Sequence, residues 1–263
     1  MNSDKVISKR QERRQQMRRK EQGGRLTTIA LITVGALFVV FALIYPQIKP
    51  IMDVVTVEPI SRPNVDRNNM GDSNAPIQIT VYSDFQCPYC KQFFDQTEPL
   101  LTQYYVTPGK VHFTYRSTGN WVSDNIARAT NTTAKTESQD SAAAAYCAAD
   151  QNKFWEMHDA LFANSRDVED QGSFDSRRLT AIAKTVSGLD ANTWRDCYES
   201  GKYASQVKQD LEDATAAEID GTPYFVITYT VKGETKTKIL HGSEPFNTFQ
   251  VELEAALTEI NTQ

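Results

Sequence analysis

Cys87 and Cys90 are the residues whose types and spacing favour covalent chemistry, and they enclose Pro88 and Tyr89 in a Cys-Pro-Tyr-Cys motif. The motif follows a run of alternating apolar residues and precedes a predicted helix at 91–105. A cysteine attacks only as its thiolate, and the unpaired N–H groups at a helix start favour that anion. Pro88 suits the first helical position because its missing N–H costs no hydrogen bond there. The motif therefore predicts a redox-active dithiol.

The same spacing also occurs in half of a zinc site and in a disulfide that staples a hairpin. Zinc ligands usually come as two close pairs, and the sequence has no second Cys-x-x-Cys or Cys-x-x-His. The histidines lack metal-ligand spacing and are interpreted as surface residues of a strand, a helix or a loop; they are His112, His158 and His241. We therefore predict thiol-disulfide chemistry at Cys87 and Cys90, without a metal or a bound cofactor.

Patterns of alternating hydrophobicity predict the strands that position the motif. Residues 77–82 and 110–115 alternate apolar and polar side chains. The motif helix lies between them, and Pro99 should kink or restart it because proline has no N–H to donate. Strand patterns return after Gly221, joined by a turn at Lys232-Gly233, and a helix closes the chain; these elements cover 223–230, 235–240 and 244–260.

The region between the two strand-forming parts is predicted to be mainly helical. Asp140 can cap a helix with one apolar face, which carries Cys147, Phe154, Met157 and Leu161. Three more helices follow, at 175–186, at 190–200 and along a stripe that begins at Tyr203. Segment 117–139 is polar without a clean period and is predicted to be a surface loop. The predicted order is βαβ, helices, ββα.

The N-terminal part combines a basic tail with an apolar run. Residues 1–25 hold nine Lys or Arg against three acidic residues, and residues 26–45 carry no charge. A run of about twenty apolar residues can cross a bilayer as a helix. The apolar core of a cleaved signal peptide has about 7–15 residues and ends in a small-x-small site, and no such site follows Ala42. We predict an uncleaved single-pass anchor with a cytoplasmic basic tail and an extracytoplasmic catalytic domain.

Residues 46–73 are rich in Pro, Asn and Asp and are predicted to form an extended linker, with a short added strand possible at 54–57. Residues 74–263 are enough for one domain with a substantial core. The basic tail could bind nucleic acid, but beside a membrane span it more simply sets topology. The whole chain is −5 although its tail is basic, so the rest is strongly acidic, which argues against a nucleic-acid partner.

Four segments together resemble the DsbA-like thiol-disulfide oxidoreductases. They are Asn74-Ala75-Pro76, Ser83 to Cys90, 144–162 and Gly221-Thr222-Pro223. The resemblance implies an α/β, thioredoxin-like fold over 74–263 with an inserted helical domain at about 118–218, preceded here by the predicted transmembrane helix. It also implies that Pro223 is a cis-proline beside the motif, and that Thr222 and Pro223 form a substrate-binding loop.

Cys147 and Cys197 form the second cysteine pair. An even cysteine count in an exported chain favours a structural disulfide over two buried free thiols, and the resemblance supports the same pairing. The chain departs from the family at Val81, where many members carry an acidic residue, so proton transfer to Cys90 stays unassigned. Tyr89 supplies no cation beside the first cysteine, which suggests a milder oxidant than members with Pro-His.

The function predicted on these grounds is extracytoplasmic disulfide donation to exported proteins with reduced cysteines, by a monomer. The resemblance implies a quinone-linked membrane oxidase as the reoxidising partner. Two alternatives stay open: a reductase or isomerase that uses the same residues, and a non-enzymatic peptide-binding assembly factor. The residues alone leave the direction of electron flow open, because it depends on the relative stability of the oxidised and reduced forms.

Overall fold

The computed structural model describes residues 9–49 and 51–262, without the side chains of 10, 22–28 and 46–48. It contains two compact units, one ending at Met52 and the other beginning at Asp53. The first unit contains helix α1, Lys9–Ile48. Within the described residues, no helix combines the length and the apolar character that a bilayer crossing needs. The anchor at 26–45 stays a prediction, and the side chains of its residues 26–28 lie outside the described part of the chain.

A five-stranded sheet forms the centre of the second unit, with strand order β1-β3-β2-β4-β5. Strand β2 runs parallel to β3 and antiparallel to β4, and β5 pairs antiparallel with β4. Alternate side chains of β2 and β3 are buried, as their sequence pattern predicts. The strand bounds are Asn69–Met70 (β1), Ile77–Ser83 (β2), Val111–Ser117 (β3), Tyr224–Val231 (β4) and Glu234–His241 (β5).

Residues 54–57, which are predicted to add a short strand, form no strand, and β1 occupies the sheet edge instead. Asn69 and Met70 pair antiparallel with β3. The backbone of Val55 bonds to a helix side chain, since its N–H donates to Asn164 Oδ1 at 2.7 Å and its oxygen accepts from Asn164 Nδ2 at 2.9 Å. These bonds take the backbone groups that a strand would need.

The motif helix breaks near Pro99, as predicted. Helix α2 spans Pro88–Gln96, α3 spans Glu98–Leu101, and a π-helical turn follows at Thr102–Val106. Helix α10, Phe246–Asn261, packs against β4 with buried Phe249 and Leu253. Aromatic side chains of α2, β4 and α10 meet in the core, where Phe93 lies 4.6 Å from Phe225 between ring centroids.

Six helices form the region between β3 and β4, and two predictions there are wrong. Segment 117–139 is predicted to be a loop, but it contains helix α4. Only a short stripe of α4 side chains is buried, so the sequence shows little helical periodicity there. The single helix expected from Asp140 is two helices, separated by a turn in which Asn152 has φ +57°. The helix bounds are Trp121–Thr130 (α4), Glu137–Ala149 (α5), Phe154–Asn164 (α6), Ser176–Ala183 (α7), Ala191–Glu199 (α8) and Ala204–Ala216 (α9).

Cys147 and Cys197 form a disulfide that joins α5 to α8, with Cα atoms 5.8 Å apart. The pairing that the cysteine count favours is therefore present in the structure. The bond encloses a sequence separation of 50 residues. Closing a loop of this size restricts the unfolded chain and so stabilises the fold. In the folded chain the bond also holds α5 and α8 together.

Arg62, in the predicted linker, is buried against the domain. Its guanidinium binds both carboxylate oxygens of Asp159, at 2.8 and 2.7 Å, and Glu98 at 2.8 Å. Burial alone would lower the pKa of Arg62, but the two carboxylates raise it above its ordinary value. His158 lies beside this group and is buried, contrary to the surface position predicted for it. The segment from Asp53 onward thus belongs to the compact domain.

Replacing Arg62 with Met should lower the free energy of unfolding by about 3–5 kcal/mol, because it leaves buried carboxylates without their cation. Urea unfolding of the purified chain measures this loss. Arg195→Met is the matched control, since Arg195 and Asp196 form an exposed pair at 3.7 Å and should contribute at most about 1 kcal/mol. Equal losses in the two variants would contradict the assignment of Arg62 as a buried ionic centre.

Candidate active site

The two motif cysteines lie at the start of α2, directly after the turn that leaves β2. Cys87 is the N-cap residue and Pro88 is the first residue of the helix. The Cys87 N–H donates to the main-chain oxygen of Asp84 at 3.1 Å, which closes the turn. Cys87 and Cys90 are free thiols with 6% and 1% of their surfaces exposed, whereas Tyr89 is 63% exposed. The helix start thus presents one cysteine at the surface side and the other inside.

The loop before β4 comes to Cys87 because β4 is antiparallel to β2. The start of β4 lies opposite the end of β2, with Tyr224 paired to Tyr82. This pairing places Thr222 beside the turn, and the Cys87 thiol donates to the Thr222 main-chain oxygen at 3.3 Å. The Thr222-Pro223 peptide bond is cis, and both residues are buried. Residues 135 positions apart in sequence therefore meet at one sulfur.

The two thiols have opposite electrostatic environments. A hydrogen bond with Cys90 is the largest cause that lowers the pKa of Cys87 to about 6, and the Thr222 side chain and the N–H groups of Tyr89 and Cys90 add to it against the effect of burial. Burial raises the pKa of Cys90 well above its ordinary value, and its hydrogen bond with Cys87 and that residue's negative charge raise it further. Near neutral pH, Cys87 is therefore the thiol that ionises, and Cys90 retains its proton.

Gln86, which precedes the nucleophile, is anchored to the helical insertion. Its amide nitrogen donates to Ser123 at 3.0 Å, Ser138 at 2.9 Å and Asp170 at 3.2 Å. Its amide oxygen accepts the Asp170 N–H at 2.6 Å. These partners lie on α4, on α5 and in the loop after α6. Gln86 therefore fixes the turn before Cys87 from three directions.

Lys91 adds a second link between the motif helix and the insertion. Its ammonium donates to the Phe162 main-chain oxygen at 2.9 Å and lies 3.5 Å from Asp95. Phe162 is near the C-terminal end of α6, where carbonyl oxygens lack helical partners. The Phe162 oxygen also accepts the Ser165 N–H at 3.2 Å, and Lys91 adds a second bond to it that holds α2 against α6.

Asp84 is a buried acid under the motif that the sequence pattern did not single out. Its Oδ1 accepts the Gln86 N–H at 2.8 Å, and its Oδ2 has no hydrogen-bond partner. Burial is the largest cause that raises the pKa of Asp84 to about 7; the Ser138 hydroxyl and the Gln86 N–H lower this pKa, whereas the nearby Cys87 and Asp170 raise it. Val81 is a buried apolar residue of β2, so it supplies no titratable group. The acidic side chain beneath the motif therefore belongs to Asp84, which follows β2, and not to position 81 within β2.

The described residues contain no cluster of three or more His, Cys, Asp or Glu that could hold a metal ion. The groups that converge on the motif are instead two thiols, a main-chain oxygen and a carboxyl group. This arrangement can hold one thiol ionised, transfer a disulfide and exchange a proton with a buried acid. The two cysteines, the turn and the loop at Thr222 are therefore the candidate active site.

Comparisons with known proteins agree with this arrangement. Na(+)/H(+) antiporter NhaA 3 from Salinispora tropica is 29% identical over 163 residues, which are 62% of this chain but 22% of the antiporter. Disulfide bond formation protein D from Bacillus subtilis is 23% identical over 159 residues, 60% of this chain and 66% of that protein. The chain spans about a fifth of the antiporter's length and just under two thirds of the second relative's.

The crystal structure of alpha-DsbA1 from Wolbachia pipientis superposes with a TM-score of 0.60 at 17% identity, covering 82% of this chain and 97% of that one. At this identity the likeness concerns the fold. A family model described as Thioredoxin matches residues 64–238, which include both cysteines of the motif and the loop at Thr222. Because this match takes in the sheet, the helical insertion and both sides of the site, the chain belongs to the thioredoxin family, with the architecture of its DsbA-like members.

Proposed function

We propose that the chain is a thiol-disulfide oxidoreductase that donates the Cys87–Cys90 disulfide to cysteines of other proteins. The observation that carries the proposal is the opposite shift of the two thiol pKa values, to about 6 at Cys87 and well above the ordinary value at Cys90. A low pKa makes Cys87 the better leaving group, so a mixed disulfide resolves toward the substrate.

The exchange has two steps. A substrate thiolate attacks the Cys87 sulfur, the bond between Cys87 and Cys90 breaks, and its electron pair goes to Cys90. A second thiolate of the substrate then attacks the substrate sulfur of the mixed disulfide, and Cys87 leaves as a thiolate. The substrate has gained a disulfide, and the enzyme has gained two electrons. The start of α2 stabilises the departing thiolate through its free N–H groups.

The surroundings of Cys87 suit an extended polypeptide substrate. Tyr89 is exposed beside the nucleophile, and the backbone at Thr222 lies next to the attacked sulfur. An extended segment can bond to the backbone beside such a loop, which gives affinity without selecting one sequence. We assign substrate positioning to Thr222 and Pro223, and shaping of the helix start to Pro88 and Tyr89.

An extracytoplasmic, membrane-anchored site of action completes the proposal. The Cys147–Cys197 disulfide supports an oxidising compartment. The uncharged run within α1 supports an anchor, since large apolar side chains such as Leu31, Phe38 and Leu43 are exposed along it. The substrates are then exported proteins with reduced cysteines, and a quinone-linked membrane oxidase is the proposed acceptor of the electrons. A reductase or isomerase is the alternative within the same chemistry.

Replacing Cys87 with Ser should reduce disulfide transfer to a reduced model protein by on the order of 100-fold or more, because the nucleophile is lost. Replacing Cys90 with Ser should instead trap a mixed disulfide when the reduced variant is mixed with a disulfide-bonded model protein, because the Cys87 thiolate opens that disulfide and no resolving thiol remains on the enzyme. Mass spectrometry after acid quenching detects that adduct. Unchanged transfer by Cys87→Ser would show that Cys87 is not the nucleophile, and no transfer by the unaltered chain would favour the non-enzymatic assembly factor.

Alkylation of Cys87 in the reduced chain should rise with pH about a midpoint near 6, because only the thiolate reacts. The same shift from the ordinary value of 9.0 stabilises the reduced fold: this contribution is full above pH 9.0 and is lost as the pH falls through about 6. Iodoacetamide rates with peptide mass analysis give the midpoint, and Cys87→Ser, which lacks the alkylated Cys87 peptide, serves as control. A midpoint near 3.5 would show a much stronger oxidant than Pro88-Tyr89 suggests.

The reduction potential of Cys87–Cys90 should lie between about −120 and −180 mV, the range of protein disulfide oxidants and isomerases, because the lowered pKa stabilises the reduced form. Equilibration in glutathione buffers, followed by alkylation and peptide mass analysis, measures it. A value near about −270 mV, like that of thioredoxin, would assign the chain to the reductases.

A further inference from the structure

The loop at Thr222 links the helical insertion to the sheet and has no regular structure. It lies between α9, which ends at Ala216, and β4, which begins at Tyr224. The Cys87 thiol donates to the Thr222 oxygen at 3.3 Å, but this hydrogen bond is lost whenever the sulfur is part of a disulfide. The loop therefore needs other contacts to stay beside Cys87 in the oxidised chain.

The end of β5 supplies such contacts on both sides of the loop. On the side that follows α9, His241 Nδ1 lies 3.2 Å from Asp220 Oδ1. On the side that enters β4, the His241 ring meets the Tyr224 ring edge to face, with 4.8 Å between the centroids. The Gly242 N–H donates to the Pro223 oxygen at 2.8 Å. We call Asp220, His241 and Gly242 the clasp.

The chemistry of each clasp residue fits its contact. A carboxylate only accepts hydrogen bonds, so His241 donates from Nδ1 to Asp220. Gly242 has φ +75°, a left-handed conformation in which the chain leaves β5. An added Cβ at Gly242 would meet no atom within 4 Å, so glycine is needed there for its conformation and not for space.

The register of β4 with β5 brings His241 to this place. Tyr224, the first residue of β4, pairs with His241, the last residue of β5. Side chains alternate between the two faces of a strand, so Thr237 shares the face of His241. Thr237 lies opposite Thr228, however, and so away from the loop. The position of His241 at the strand end thus decides its contact with the loop.

The clasp is exposed, unlike the ionic centre at Arg62. The side chains of His241 and Asp220 are 58% and 73% exposed. An exposed pair of this kind contributes little to the free energy of unfolding. Ile219 and Tyr224 are buried at the two ends of the loop. Loss of the pair should therefore loosen the middle of the loop without unfolding the domain.

We propose that His241 is a positioning residue for disulfide exchange with polypeptide substrates, an inference that rests on the proposed oxidoreductase function. Through Asp220 and Tyr224 it keeps the backbone at Thr222 beside the Cys87 sulfur. An extended substrate segment that pairs with this backbone presents its thiolate to Cys87 in a reactive geometry. A small thiol needs no such pairing and only has to reach the sulfur. The clasp therefore increases the rate with polypeptide thiols and leaves the rate with small thiols unchanged.

The test compares a protein substrate with a small thiol. Oxidised full-length chain is mixed with a reduced model protein or with dithiothreitol, quenched in acid and analysed by mass for loss of the Cys87–Cys90 disulfide. His241→Ala should slow transfer to the protein by at least about tenfold, because the substrate segment is no longer aligned with the sulfur. Reduction by dithiothreitol should change by less than about twofold, because it needs no alignment with the loop. Equal slowing of both reactions, or of neither, would overturn the proposal.

Two further variants divide the clasp. His241→Phe keeps a ring beside Tyr224 but has no donor for Asp220, and His241→Asn keeps a donor but has no ring. Each should transfer to the protein more slowly than the unaltered chain and faster than His241→Ala. Thr237→Ala is the matched control, because Thr237 is exposed on the same face of β5 and should leave both rates unchanged. A loss in Thr237→Ala equal to that in His241→Ala would assign the effect to the whole strand face and overturn the role of His241.

A measurement without any substitution covers the case in which His241→Ala does not fold. In the oxidised unaltered chain, the Gly242 N–H should exchange with solvent at least about tenfold more slowly than in an unstructured peptide, because it is bonded to the Pro223 oxygen. Exchange at the rate of an unstructured peptide would overturn the proposal, because the loop would then not be held. If the unaltered chain transfers no disulfide to the protein, the proposed function itself fails. If His241→Ala transfers as fast as the unaltered chain, only the role of His241 fails.

Discussion

The site depends on the contact between the start of α2 and the loop that leads into β4. The hydrogen bond with Cys90 lowers the pKa of the Cys87 thiol most, Thr222 and the N–H groups at the helix start also lower it, and burial works against them. The sheet resolves this conflict by geometry. Parallel pairing of β2 with β3 and antiparallel pairing with β4 place the turn at Asp84 and the oxygen of Thr222 at the same edge. A one-residue slip of β4 would turn its buried side chains outward, so the register that builds the core also builds the site.

The helical insertion takes part in this arrangement through polar contacts. Gln86 bonds to α4, α5 and the loop at Asp170, and Lys91 bonds to the end of α6. Each contact joins a residue beside a motif cysteine to an element far along the chain. A buried amide whose donors and acceptor are all paired fits only one arrangement of its neighbours, whereas apolar packing tolerates small shifts. The insertion therefore fixes the orientation of the motif as well as covering the sheet.

The sequence predicted those parts of the structure that depend on local chemistry. The motif at a helix start follows from Pro88 and from the alternating strand before it. The break near Pro99 follows from the missing N–H of proline. These features are decided within a few residues, so a single sequence contains them.

The parts that were missed depend on distant partners. Gln86 meets Asp170 across 84 positions, and Asp84 became notable only when its burial was known. The short buried stripe of α4 was too weak to reveal a helix in a polar segment. Such roles arise from the fold, and no local pattern encodes them.

The buried position of Arg62 has a consequence for how mechanical load enters the domain. The chain from Asp53 reaches α3 and α6 at this guanidinium before it continues to β1 and β2. A pull along the segment from Asp53 is therefore resisted by the hydrogen bonds of Val55 to Asn164 and then by the ion pairs of Arg62 to Glu98 and Asp159, and the strand that ends at the active-site turn lies behind both sets of contacts.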